Sequence, residues 1–343
     1  MKLFSIELLR GFAVSIVVLY HLYAVQDRYF AENVLPELFQ LGGWGVDIFF
    51  VISGVVMYKS IYGRPGGITT WPFLRARITR IYPPYWVITL VIFTIAQFEP
   101  SLVNSSYDQE PSLFRSLLLL PDVTTPWLNV GWSLVYEIWF YLVLGSLLLV
   151  RKSAAITGLG AYAIFLLFAG GVQASGPVTK LITDPLILEF LLGFALGMAY
   201  FRHDLQRKKA ILLAIAAVPL VLIAARFAYG FNLLDSPLER FIAFGLPAVS
   251  IVALGLCLED FVARSSILRP LIIIGTVSYS VYLTHVLFLN AFLFTSMRFL
   301  KLEIPILAAN VACVGFVIFA GGLYYRFIER TTSKAFMKVL YRS

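Results

Sequence analysis

IELLRGFAVSIVVLYHLYAV, residues 6–25, is almost long and apolar enough to cross a bilayer, yet it holds Glu7, Arg10 and His21. Charged and titratable side chains are costly in hydrocarbon, so a span that keeps them has a use for them. The rest of the chain repeats the apolar pattern. Its 343 residues are 60% hydrophobic and 13% charged, with a mean hydropathy of +0.85. A soluble globular chain carries about 25% charged residues, so this composition describes an integral membrane protein. Only helices and closed barrels satisfy every backbone polar group in lipid, and apolar runs of helical length make a polytopic all-α bundle the expected fold.

Windows long enough for about 30 Å of hydrocarbon fall near 4–24, 43–62, 80–98, 132–150, 154–173, 185–201, 210–228, 241–258, 271–291 and 304–325. About ten transmembrane helices are therefore expected in a single membrane domain, 1–343. The first run lacks a small-residue cleavage site at its end and reads as a retained span. Cys257 and Cys313 fall inside apolar runs and read as small hydrophobes. With only three histidines and two cysteines, no metal site is expected.

The net charge of +8 acquires meaning once it is placed along the chain. With a cytoplasmic N-terminus, nineteen of the 27 lysines and arginines fall at inner connections and seven at outer ones, with Arg10 inside the membrane. That is a positive-inside bias, which puts both termini in the cytoplasm and removes nucleic acid as the reason for the charge. The longest connection, 99–131, lies outside on this reading. Its SLLLLP segment, 116–121, is apolar enough to fold back onto the membrane.

Polar groups inside the spans carry the chemistry. Arg10 and His21 are eleven residues apart, so they share a helix face about 16 Å apart in axial rise. Asp47 opens the second span in GGWGVDIFFVISGV, 42–55. In GWSLVYEIWFYLV, 131–143, Ser133, Glu137 and Tyr141 are spaced by four and share a face. In GTVSYSVYLTHVL, 275–287, Ser278, Tyr282 and His285 follow at i, i+4 and i+7. His21, Asp47, Glu137 and His285 therefore arrive from four helices at a similar depth, with Glu189 near that level. Agreement in depth points to one buried polar site in preference to scattered packing. A histidine beside a carboxylate suits general-base work, and spacing leaves open whether Asp47 or Glu137 is that carboxylate.

The block WPFLRARITRIYPPYW, 71–86, sets Arg75, Arg77 and Arg80 among apolar residues. It reads as a short amphipathic helix on the inner membrane surface, with Pro83 and Pro84 restarting the chain as the third span. Arg77 and Arg80 at i and i+3 offer two guanidinium forks suited to phosphate, although lipid headgroups would also accept them.

Taken in order, RGFAVSIVVLYH (10–21), GVDIFFVISG (45–54), RARITRIYPPYW (75–86), WSLVYEIWFY (132–141) and SYSVYLTH (278–285) resemble the signatures of the membrane-bound acyltransferase 3 family. The resemblance implies an O-acyltransferase, mostly an O-acetyltransferase, of bacterial surface polysaccharides and related glycans. It would take its acyl group from cytoplasmic acyl-CoA, acetyl-CoA in the usual case, as a donor substrate with no permanently bound cofactor. Localisation in the bacterial inner membrane follows. Some members carry a C-terminal SGNH-type domain; this chain stops about fifteen residues after its last expected span, which implies that the domain is lacking.

On that reading, the phosphates of coenzyme A meet Arg75, Arg77 and Arg80, and Arg10 lines the pantetheine route or pairs with Glu7. His21 is the catalytic base, oriented by Asp47 or Glu137, with a covalent acyl-histidine as the open alternative to direct attack. Trp132, Ser133, Tyr282 and His285 are candidates for binding the sugar or the developing oxyanion. The partners are then acyl-CoA, a surface glycan or lipid-linked oligosaccharide and membrane lipids, with no nucleic acid, and oligomeric state is not legible. A transporter using the buried His and carboxylate cluster as a proton or substrate relay is the alternative, weakened by the lack of a convincing internal repeat. A scaffolding subunit of a glycan-assembly complex is a third.

Overall fold

The computed structural model describes residues 3–29, 35–63, 68–98, 110–169, 175–202, 213, 237–295 and 306–340. Among these residues every regular element is helical. The helices are α1 (Phe4–Tyr29), α2 (Gly45–Tyr62), α3 (Thr70–Phe98), α4 (Leu113–Leu118), α5 (Trp132–Val150), α6 (Lys152–Ala169), α7 (Pro177–Thr183) and α8 (Ile187–Arg202). After them come α9 (Leu246–Cys257), α10 (Glu259–Arg264), α11 (Arg269–Thr276), α12 (Ser278–Thr295), α13 (Ile306–Tyr324) and α14 (Arg330–Leu340). A 3₁₀ stretch, Glu37–Trp44, leads into α2, and π-helical turns at Phe241–Gly245 and Tyr325–Glu329 lead into α9 and α14.

Among the described residues, seven helical stretches are long and apolar enough to cross a membrane: Phe4–Gln26, Glu37–Tyr62, Thr70–Phe98, Asn129–Val150, Pro177–Arg202, Leu238–Cys257 and Leu307–Leu340. The pair α11 and α12 makes an eighth if taken as one span. The protein is thus a multi-pass helical membrane protein. These stretches fall on the expected spans; the fifth is represented by the shorter apolar helix Ser153–Ala169. Of the seventh, 210–228, only residue 213 is among the described residues.

Two expectations change. Pro83 and Pro84 do not restart the chain but lie inside the 29-residue helix α3. A proline removes the helical hydrogen bond to the carbonyl four residues before it and crowds the preceding turn, and hydroxyls from neighbouring helices bond to carbonyls beside this step. The Tyr279 hydroxyl donates to the Ile81 carbonyl at 2.8 Å and the Tyr324 hydroxyl to the Pro84 carbonyl at 2.6 Å. The ninth span is also broken: α11 and α12 meet at 80°. At that corner the Thr276 hydroxyl takes the Ile273 carbonyl at 2.7 Å, competing with continuation of the helix.

The chain divides into two compact units of interleaved segments. The first comprises Met1–Arg10, Val46–Ala76 and Tyr136–Ile272; the second comprises Gly11–Gly45, Arg77–Val135 and Ile273–Ser343. In the first, α2 and α8 approach through glycine. A Cβ on Gly54 would fall 2.1 Å from the Phe190 carbonyl oxygen, and one on Gly193 would fall 2.1 Å from that of Val51. Small residues allow such approach where no water drives helices together. Phe190 then stacks between Phe50 and Phe140, with ring centroids 4.4 and 4.9 Å away.

In the second unit the apolar 116–121 segment packs against α3. Trp86 Nε1 donates to the Leu117 carbonyl at 2.8 Å, and the Tyr85 and Tyr82 hydroxyls donate to those of Ser116 and Leu118 at 2.7 and 3.0 Å. Those carbonyls belong to the last turn of α4, where helical partners run out, although that of Ser116 also accepts from the Leu119 amide at 3.1 Å. α1 and α13 are tied by Gln26 Nε2 donating to Asn310 Oδ1 at 2.6 Å.

Candidate active site

Within the second unit, α1 and α12 bring His21 and His285 together. His285 Nε2 is 3.1 Å from His21 Nδ1, with the rings edge-on, 4.7 Å between centroids and 71° between planes. His285 is fully buried, whereas His21 is only half-buried. Their surroundings fix where the protons sit on the neutral rings. His285 Nδ1 faces the carbonyl oxygens of Tyr282 at 2.7 Å and Val281 at 3.2 Å, which only accept, so Nδ1 carries the hydrogen and Nε2 the lone pair. That lone pair faces His21 Nδ1, which also lies 3.0 Å from the Val17 carbonyl oxygen. Between two acceptors, His21 Nδ1 must be the donor, and the lone pair of His21 is left on Nε2.

One turn before His285, the Tyr282 hydroxyl lies 2.7 Å from Ser133 Oγ, and both lie within reach of the Val130 carbonyl, at 3.0 and 3.1 Å. Ser133 and Tyr282 are therefore joined as a buried pair next to the imidazoles, with Trp132, half-buried, adjoining Ser133 in the chain. Arg77 and Arg80 belong to the same unit and stand one turn apart on α3, Arg80 exposed and Arg77 half-buried.

The remaining expected residues belong to the first unit. Asp47, completely buried at the start of α2, accepts from Arg240 Nη2 at 3.1 Å, and Arg240 Nη1 lies 3.0 Å from its other oxygen. Glu189, also completely buried, lies against Asp47, so two carboxyl groups face one guanidinium. A Cβ on Gly245 would fall 2.7 Å from Glu189 Oε1, so the chain entering α9 lies close over this acid. Glu137 accepts from Ser53 Oγ at 3.2 Å and from the Tyr141 hydroxyl, the neighbour its i, i+4 spacing implied. Arg10 lies 3.8 Å from Glu7, one of the two settings expected for it, and Arg75 lies over the Trp71 ring at 5.2 Å.

The hydrogen bonds of His21 thus go to Val17 and His285, those of Asp47 to Arg240, and those of Glu137 to Ser53 and Tyr141. Arg240 is the participant that sequence reading missed. Arg240 is one of the seven outer cations, and its position directly before a span, where a charge needs a partner, is the signal that marks it.

The acyltransferase-domain family model (Acyl_transf_3) matches residues 3–325 of the chain. The chain belongs to the acyltransferase 3 family. Among curated relatives, the exopolysaccharide production protein ExoZ of Rhizobium meliloti is 31% identical over 258 residues, 72% of this chain and 76% of ExoZ. Acyltransferase MdmB of Streptomyces mycarofaciens is 27% identical over 83% of this chain and 78% of MdmB. O-acetyltransferase OatA of Staphylococcus aureus is 26% identical over 95% of this chain, which spans only 56% of OatA. All five quoted signatures lie inside the region matched by the acyltransferase 3 model, and so do both histidines.

Proposed function

We propose that this acyltransferase moves an acetyl or short acyl group from cytoplasmic acyl-CoA to a hydroxyl of an extracytoplasmic polysaccharide or glycolipid, across a bacterial inner membrane. The observation that carries the reading is the proton order at the histidine pair, which leaves Nε2 of the more accessible ring, His21, with a lone pair. In this reading the sugar hydroxyl gives its proton to Nε2 as its oxygen attacks the thioester carbonyl. The C–S bond then breaks, and the CoA thiolate takes the proton back from the imidazolium. His285 holds Nδ1 of His21 throughout and accepts part of the positive charge that develops there.

The same lone pair would serve an acyl-imidazole route, in which Nε2 attacks the thioester first. Arg77 and Arg80 are suited to the CoA phosphates by their paired guanidinium forks. The exopolysaccharide and O-acetyltransferase names of ExoZ and OatA support the acceptor class and the acyl group. The excess of inner cations supports the donor's side.

The test is transfer from radiolabelled acetyl-CoA to exopolysaccharide by the purified full chain. The intact protein should label the polymer, and H21A should lower the rate by about 10²–10⁴ while still binding acetyl-CoA. In the same assay, replacing Arg77 and Arg80 by alanine should raise the acetyl-CoA Kd about tenfold or more. Full activity in H21A, or no transfer by the intact protein, would overturn the reading.

A further inference from the structure

The C-terminal helical stretch has a use that acyl transfer does not account for. Arg326, Arg330, Lys334 and Lys338 recur every four residues through the π-helical turn and α14, and all four are exposed. Together with Thr331, Ala335 and Met337 they line a groove of about 760 Å³. The single acid of residues 326–340, Glu329, is not in that lining; it accepts a hydrogen bond from Ser280 Oγ at 2.5 Å. The groove is therefore a concentrated positive strip with no carboxylate in its lining.

Two contacts show how this stretch runs. The Tyr324 hydroxyl reaches the Pro84 carbonyl at 2.6 Å, and the Phe336 ring lies 5.7 Å from the ring of Trp86. Twelve helical residues cover about 18 Å, whereas the two steps from Pro84 to Trp86 cover about 3 Å. A helix continuing antiparallel beside α3 would have left Trp86 behind, so α14 crosses α3. It does so with apolar Phe336 inward and the cations outward, as a helix lying along a membrane surface does.

Continuity with α13 identifies the occupant. Leu307, Val311, Phe319, Leu323 and Phe327 are all exposed and form a helical stripe that runs into the cationic row at Arg326 and Arg330. An apolar stripe ending in a row of cations matches a molecule with hydrocarbon chains and an anionic head, whereas a soluble nucleotide thioester needs only the cations. We propose that Arg326, Arg330, Lys334 and Lys338 form a binding site for the head-group phosphate of an anionic glycerophospholipid, whose acyl chains lie along α13. The site is independent of the histidine pair.

The full chain is incorporated into nanodiscs from an equal mixture of phosphatidylcholine and phosphatidylglycerol, and the phospholipid retained after repurification is counted by native mass spectrometry. The intact protein should retain about fivefold more phosphatidylglycerol than phosphatidylcholine. The triple variant R330Q/K334Q/K338Q should lose most of that preference while its acetyl-CoA affinity stays unchanged, and the charge-keeping R330K/K334R should retain the preference. No preference in the intact protein, or an undiminished preference in the triple variant, overturns the proposal. A triple variant that loses acetyl-CoA affinity but keeps its lipids would assign the strip to the donor instead. If the triple variant fails to fold, the preference of the intact protein and of R330K/K334R against single R330Q and K334Q variants decides the matter by the same criteria.

Discussion

An imidazole works as a base only while one ring nitrogen is free, and a carboxylate is the usual neighbour that decides which one. In this protein a second imidazole does so, its own proton held by the carbonyls of Tyr282 and Val281. A neutral neighbour orients His21 as well as a carboxylate would but stabilises the imidazolium less, since it carries no full negative charge. His285 was expected to bind the acceptor; its complete burial instead suits a positioning residue. The two roles separate in steady-state kinetics. Loss of one orienting hydrogen bond in H285A should lower kcat about tenfold, with the KM values for acetyl-CoA and polysaccharide unchanged. H285Q, whose side-chain oxygen again faces Nδ1–H, should recover part of the loss. A raised acceptor KM at unchanged kcat would return His285 to the acceptor site.

At the scale of elements, what aligns the helices is mostly small residues and borrowed hydrogen bonds. Glu259 accepts from the Phe4 and Ser5 amides at 2.8 and 2.9 Å and from Ser5 Oγ at 2.5 Å, so a carboxylate from α10 closes the open N-terminus of α1. Between α2 and α8 the fit is steric. The nearest atoms to a Cβ at Gly54 are backbone, Phe190 O at 2.1 Å and Phe194 N at 2.5 Å, which no side-chain rotation can clear. G54A should therefore cost about 1–3 kcal/mol, read as a lowered unfolding temperature in detergent. G160A, on α6 where nothing lies within 4 Å of an added Cβ, is the matched control and should leave it unchanged or raise it. Equal stability of the two variants would show that α2 and α8 do not pack this closely.

At the scale of the molecule, apolar windows located the spans because length against hydrocarbon thickness is a one-dimensional measure. The proline step in α3 misled the same reasoning, since the hydroxyls of Tyr279 and Tyr324 that hold the helix beside it come from helices some two hundred residues later. The same windows assign His21, Asp47, Glu137 and His285 each to its helix, but not the partner each side chain meets. That depends on helix rotation and neighbour order, which similar apolar helices leave open, and so Arg240 beside Asp47 went unseen.

Sidedness rests on the distribution of cations, and it makes a prediction of its own. Holding nineteen lysines and arginines at outer connections instead of inner ones would reverse the bias by which loops are retained during insertion. In a background with Cys257 and Cys313 replaced by serine, E110C and R151C each place one thiol at an exposed position, on opposite sides of the expected topology. An impermeant maleimide applied to intact spheroplasts should label E110C at once and R151C only after the membrane is permeabilised. The reverse pattern would turn the molecule over, placing the arginines of α3 outside, where no acyl-CoA reaches them, and the proposed direction of transfer would fall with it.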